Sequence, residues 1–249
     1  GIKKVAPASF NKRKSVMMCA VSKNEATIIH RYLGYSRSDI AITGNARFDL
    51  LTDSSTDRRE ILLMPTLRSH LFFSGKEDFV KSEYYQVYSR LIQSRELGAV
   101  LSKHDCTLSF YLHPTFSHHE SLFSTDIENI NILGDSDIQI SDLLMRCSML
   151  VTDYSSVAWD MLYMNKPILF FQFDLDLFLK TSGSYMDMRK DLPGDRCETV
   201  EELLTLIGKY AEDGLRIPDR YAKMRESFFA YTDMNNCKRI AEEIGRRRL

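Results

Sequence analysis

Between Thr152 and Asp160 the chain reads Thr-Asp-Tyr-Ser-Ser-Val-Ala-Trp-Asp. An apolar run, Met149-Leu-Val-Thr152, precedes this segment, and a helical period over Val157 to Met164 follows it. A helix that starts straight after a strand exposes unpaired amide donors and a partial positive charge, which suits phosphate. Ser155 and Ser156 add hydroxyl donors at that spot. Asp160 falls four residues after Ser156, so the two share a helix face, and a carboxylate one turn beyond a phosphate cradle is well placed for a ribose diol. This is the pattern of a nucleotide-diphosphate site. The pattern alone supports equally a simpler reading, in which Asp153 or Ser155 caps the helix and Asp160 is solvated.

Other strand ends carry similar chemistry. Pro65-Thr66-Leu67-Arg68, His113-Pro114-Thr115 and Gln172-Phe173-Asp174 each follow a short apolar run. In an open α/β sheet, ligands bind beyond the carboxyl ends of the strands, so a parallel arrangement opens all these segments onto one crevice. The Arg68 fork matches phosphate oxygens; the alternative is a surface arginine in a loop. His113 could stabilise or protonate a leaving phosphate, or be a hydrogen-bonded histidine in a turn. His118, His119 and Glu120 match no zinc spacing, so a metal is not indicated.

The elements that must position these groups alternate. Runs near 40–42, 61–64, 108–112, 130–132, 149–152 and 167–171 read as strands, with helical periods between most of them. Ser22-Lys-Asn-Glu25 and Thr199-x-x-Glu202 are capping boxes, and two further helices are predicted over 218–230 and 235–247. Such alternation predicts an α/β protein, a Rossmann-like parallel sheet with helices on both faces. The polar stretch Asp53-Ser-Ser-Thr-Asp57 marks a boundary, dividing the chain into 1–55 and 56–249.

Composition narrows the classes. The 249 residues carry 33 Lys+Arg against 34 Asp+Glu, a net charge of −1, which removes the electrostatic case for a nucleic-acid partner. Only 11 Gly and 6 Pro argue against a turn-rich barrel or a disordered chain. No run approaches the about 18 apolar residues of a membrane span, and the opening residues do not read as a secretory leader. Cys19, Cys106, Cys147, Cys197 and Cys237 are scattered and form no CxxC pair, as expected in a reducing cytosol. Lys3-Lys4, Lys12-Arg13-Lys14 and Arg246-Arg-Arg248 read as solvated faces or as short contacts to an anionic membrane surface.

The run from Ile140 to Asp160, containing Thr-Asp-Tyr-Ser-Ser, resembles the hallmark of the CDP-glycerol glycerophosphotransferases, the teichoic-acid primases and polymerases and related capsule polymerases. The similarity continues through Asn165-Lys-Pro-Ile168, Phe171-Gln-Phe-Asp174 and Leu192-Pro-Gly194, and into Asp233 to Ile240. Upstream, Thr43-Gly-Asn-Ala-Arg-Phe-Asp49, Pro65-Thr-Leu-Arg68 (with leucine where the family has tryptophan) and His113-Pro114 are similar to its TG-x-x-R-x-D, PTWR and HP elements. The resemblance covers about residues 20–240.

The resemblance implies the C-terminal, nucleotide-binding half of a GT-B fold. By it, residues 1–55 are a remnant of the N-terminal acceptor half and residues 56–249 are the donor domain. The family's HG general base has no counterpart here, and Gly1-Ile-Lys-Lys-Val is similar to the residues just after it, so the fragment is expected to be inactive alone. The implied enzyme transfers glycerol phosphate from CDP-glycerol to a hydroxyl of a growing teichoic-acid-like or capsular polymer and releases CMP. The implied diphosphate ligands are Arg68, Thr152, Ser155 and Ser156 with His113, which also assists departure of CMP; Asp160 would hold the ribose, and Asp153, Asp174 and Thr66 would support the site. No cofactor beyond the CDP-polyol substrate is implied, and a lipid-linked or polymeric acceptor places the protein in the cytoplasm, peripheral to the inner face of the membrane. The alternatives are a CDP-ribitol-dependent transferase, another GT-B enzyme using a UDP-sugar, and a non-catalytic GT-B-like binding module.

Overall fold

The computed structural model describes residues 17–56, 58–134 and 138–247. Gly1-Ile-Lys-Lys-Val, the basic groups at Lys3-Lys4 and Lys12-Arg13-Lys14, Asp57 and Arg248 lie outside the described residues.

The first elements form a small unit. Strand β1 (Met18–Ala20) pairs in parallel with β2 (Ile40–Ile42). Helix α1 (Lys23–Ile28) lies between them and runs on through a wider turn to Leu33, ended by Gly34 in the left-handed region. Ser22 accepts the Glu25 amide as the capping box predicts, but the Glu25 carboxylate reaches one residue further back, to the Val21 amide at 2.6 Å. Ala20, Ile29 and Tyr35 form this unit's own apolar cluster.

Beyond it, six parallel strands form one sheet. They are β3 (Glu60–Leu63), β4 (Thr107–Tyr111), β5 (Ile130–Leu133), β6 (Met149–Thr152), β7 (Ile168–Phe171) and β8 (Asp195–Cys197), in spatial order β5-β4-β3-β6-β7-β8. Helices α2 (Lys76–Lys81), α3 (Glu83–Ile92), α4 (Arg95–Lys103), α5 (Ile140–Arg146), α6 (Val157–Tyr163), α7 (Leu175–Thr181) and α8 (Val200–Glu212) connect and follow the strands. Helices α9 (Asp219–Phe228) and α10 (Asn236–Arg247) close the chain.

Alternation along the strands builds two cores. Ile61, Leu63, Val151, Leu169 and Phe171 belong to a cluster shared with α3, α4 and α8. Leu62, Leu150, Ile168 and Phe170 belong to one shared with α5 and α6. A parallel strand buried on both faces must be apolar throughout, which is why these strands read as unbroken apolar runs. The expected Rossmann-like class therefore holds. Sequence reading passes over β1, β8, α4 and α7. β8, Asp-Arg-Cys, is three residues at the sheet edge with no apolar alternation, and it exists because β7 offers it a ladder. The glycine of Leu192-Pro-Gly194 permits that approach: a Cβ on Gly194 would stand 2.2 Å from the Ile168 carbonyl oxygen.

The polar 53–57 stretch is tied down at Asp53. The Lys166 ammonium, 3% exposed, donates to the carbonyls of Leu144, Met145 and Cys147 at 2.5–3.0 Å and pairs with Asp53 at 2.9 Å. A cation on the last carbonyls of α5 satisfies groups that the helix leaves unpaired.

Candidate functional site

From β3 the chain winds outward to β4 and β5, and from β6 it winds the other way to β7 and β8. The connections therefore diverge between β3 and β6, and a crevice must open at the carboxyl ends of these two strands. The Thr66 amide, after β3, donates to Asp153 Oδ1, after β6, at 2.9 Å across that crevice.

Beneath this link lies an ionic cluster. Asp153 has no exposed surface; it accepts from its neighbour Tyr154's amide at 2.6 Å and from the Tyr88 hydroxyl at 3.3 Å. Arg68, 3% exposed, places Nη1 2.8 Å from Asp153 and grips Asp174 with Nε and Nη2 at 2.6 and 2.9 Å. Its Nη1 also donates to the Thr66 carbonyl, and the Tyr154 hydroxyl donates to Asp174 at 2.9 Å. The guanidinium sits over the rings of Tyr84 and Tyr154 at 5.3 and 4.9 Å. Burial opposes the Arg68 charge, but Asp153 and Asp174 outweigh it and hold the proton more firmly than usual. Burial beside the same carboxylates raises the Tyr84, Tyr88 and Tyr154 hydroxyls above their ordinary range.

Three of the expected contacts thus form one tie. Arg68, Asp153 and Asp174 bind each other, and Thr66 joins them through its backbone. The Arg68 charge is matched by two carboxylates and withdrawn from solvent, so it braces the loops. Thr152, 1% exposed, likewise turns inward, its hydroxyl donating to the Met64 carbonyl at 2.7 Å. Ser155 and Ser156 are placed differently. Ser156 is exposed and starts α6 without a side-chain cap bond; Ser155 is half-buried and accepts the Val157 amide at a long 3.4 Å. His113, half-buried at the end of β4, accepts the Thr115 amide with Nδ1 at 3.2 Å and starts a tight helical stretch over Pro114–Leu122. Thr66 Oγ1 and Gln172 Oε1 are buried without a hydrogen-bond partner among the described residues.

The Asp160 side chain is 3% exposed. Its Oδ2 lies 2.5 Å from Arg47 Nη1, and its Oδ1 is enclosed with no hydrogen-bond partner among the described residues. Burial raises its pKa, and the hydrogen bond and charge of Arg47 pull it back. The Asp160 carboxylate is thus turned to Arg47 and withdrawn from solvent. Sequence reading missed Arg47, although it lies in the quoted Thr43–Asp49 element, and missed Tyr88, which reads as a core position of α3. Both belong to the site only through contacts between distant segments. No three His, Cys, Asp or Glu side chains among the described residues form a group able to hold a metal ion. His119 is buried and stacks on Phe79, with ring centroids 4.0 Å apart.

A parallel sheet wound both ways from a central pair, with polar loops meeting at the point of divergence, defines a Rossmann-like α/β protein of the kind that binds ligands at that crevice. A family model for CDP-glycerol:poly(glycerophosphate) glycerophosphotransferase matches residues 3–246, and the chain belongs to this family. It is similar to the minor teichoic acid biosynthesis protein GgaB of Bacillus subtilis (strain 168), with 26% identity over 94% of this chain and 27% of that protein. It is 24% identical to a teichoic acid poly(ribitol-phosphate) polymerase of Bacillus spizizenii over 81% of this chain and 33% of that one. Among solved structures, the wall teichoic acid polymerase TagF superposes with a TM-score of 0.70 at 19% identity, covering 96% of this chain and 60% of TagF. The chain thus spans about a quarter to a third of these two relatives' length. No helix among the described residues is long and apolar enough to cross a membrane.

Proposed function

We propose that this chain is the donor-binding part of a glycerophosphotransferase that moves glycerol phosphate from CDP-glycerol to a hydroxyl at the end of a teichoic-acid-like polymer. The observation that carries the reading is the divergence of the chain between β3 and β6 in a protein of this family: an exposed Ser156 and a half-buried Ser155 follow β6, beside loops locked by the Arg68–Asp153–Asp174 tie. In the reaction the acceptor oxygen attacks the donor's β-phosphorus. The bond from that phosphorus to the bridging oxygen breaks, CMP departs, and the acceptor proton passes to a base. Such chemistry needs positioning and charge neutralisation more than covalent help. Ser155 and Ser156 donate to the diphosphate, and His113 steadies the departing CMP. The buried tie keeps these loops from adjusting at each turnover. The acceptor is polymeric or lipid-linked, and the protein works at the membrane's inner face.

A CDP-ribitol donor is the second reading, favoured by the similarity to a poly(ribitol-phosphate) polymerase. The test is transfer and calorimetric binding with the full-length protein, using CDP-glycerol, CDP-ribitol and a UDP-sugar. The expected result is cytidine-selective binding, with Ser155→Ala and His113→Ala each lowering turnover about ten-fold or more, the usual scale for a lost charge-assisted hydrogen bond. Preference for the UDP-sugar, or unchanged kinetics in both variants, would overturn the reading.

A further inference from the structure

Arg68 is buried between two carboxylates, whereas Arg47 is half-exposed and paired with Asp160 on α6, the helix that follows β6. Arg47 lies in the tight turn Ala46–Leu50, which is fixed on both sides. On one side Phe48 stacks on Tyr163 of α6, centroids 4.5 Å apart. On the other, Asp49 accepts the Asn236 and Cys237 amides at the start of α10, at 2.9 and 2.7 Å. The Asn45 side chain accepts the Arg47 amide at 3.2 Å. The Arg47 backbone therefore has little freedom.

Its side chain is half-exposed at 51%, anchored at Nη1 to Asp160, while Nε and Nη2 have no hydrogen-bond partner among the described residues. By contrast, Arg68 spends all three nitrogens on carboxylates and Arg239 spends two. Asp160 lies four residues beyond Ser156, and residues at that spacing share a helix face. The guanidinium is thus paired with a residue that lies one helical turn beyond the exposed Ser156.

We propose that Arg47 is the cation that meets the donor's diphosphate, and that Asp160 is a positioning residue that aims it. This rests on the donor-binding reading given above. An arginine fork matches phosphate oxygens, and an arginine already held at one nitrogen loses less side-chain freedom when it binds them. The enclosed Asp160 carboxylate is suited to this work: it is fixed on α6, shielded from competing water, and has one oxygen committed to Arg47. The Thr43–Asp49 element thereby gains a role in each of its last residues: Arg47 faces the ligand, Phe48 packs and Asp49 docks the turn on α10.

The experiment is calorimetry on the full-length protein with CDP-glycerol and with cytidine, which carries no phosphate, using Arg47→Gln, Arg47→Lys and Asp160→Asn, with thermal melts to confirm folding. Arg47→Gln should weaken CDP-glycerol about ten- to a hundred-fold, as for a lost hydrogen bond to a charged group, and leave cytidine unchanged. Arg47→Lys, which keeps the charge without the fork, should recover part of that loss. The effect of Asp160→Asn on CDP-glycerol should vanish in the Arg47→Gln background, because coupled residues act as a unit. Equal CDP-glycerol affinity in the wild type and Arg47→Gln would overturn the proposal, as would an Asp160→Asn chain that loses cytidine binding, which would make Asp160 a nucleoside ligand. A wild-type protein that fails to bind CDP-glycerol at all would instead refute the donor reading on which the proposal stands.

Discussion

Replacing Arg68 by methionine removes the cation between Asp153 and Asp174 while roughly keeping its volume. The two carboxylates are at most 5% exposed and would face each other with nothing between them. At an effective dielectric of 20, two unit charges about 4 Å apart repel by roughly 4 kcal/mol. The variant can escape by protonating one carboxyl, at a cost of about 1.4 kcal/mol for each pH unit above the ordinary value near 3.9. At pH 7 that is about 4 kcal/mol, in line with the roughly 3–5 kcal/mol typical of a broken buried pair. At pH 5 it falls to about 1.5 kcal/mol. The sign follows from proton counting: over this range the folded variant holds a proton that the unfolded chain has released, so its stability drops as pH rises. Urea denaturation at pH 7 and pH 5 reads the difference directly. In a chain of this size the neutral-pH loss corresponds to about 10 °C in melting temperature. A deficit below about 1 kcal/mol at pH 7, or the same deficit at both pH values, would refute the description of Arg68 as a buried tie.

Two further variants probe how the fold carries the site. Asp49→Ala removes the carboxylate that receives the start of α10 and should cost about 1 kcal/mol at pH 7, the usual price of a lost cap. Burial opposes the Asp49 charge, but the bonds from Cys237 and Asn236 win and hold its pKa below the ordinary value. The contribution is therefore complete above about pH 4 and lost as pH falls through the lowered value, so wild type and variant should converge in acid; a pH-independent gap in urea titrations would count against the cap. Gly194→Ala drives a methyl group against the Ile168 carbonyl, and because a backbone oxygen within a ladder cannot swing aside, at least about 2 kcal/mol should be lost in a thermal melt; wild-type stability would mean that β8 does not dock as described.

Much of the fold is legible in the chain because its cause is local. A strand covered on both faces has to be apolar, so β3, β4, β6 and β7 stand out as runs. Thr199 and Glu202 satisfy each other's neighbouring amides within one turn, so the start of α8 can be read directly. β8 could not be read, since its three residues carry no pattern and become a strand only beside β7. The strand order is equally non-local, because a parallel crossover can pass to either side of the strand it leaves.

The site divides in the same way. Sequence by itself determined the family, the parallel α/β class and the hydroxyl-rich turn after β6, since these depend on residue types and short spacings. Only the tertiary structure decided which arginine is buried between carboxylates and which stays half-exposed. Arg68 meets Asp174 across 106 positions and Arg47 meets Asp160 across 113. Whether a guanidinium is a buried brace or an open ligand depends on its desolvation and on the carboxylates around it. Those are properties of the packed crevice and not of the segment that supplies the arginine.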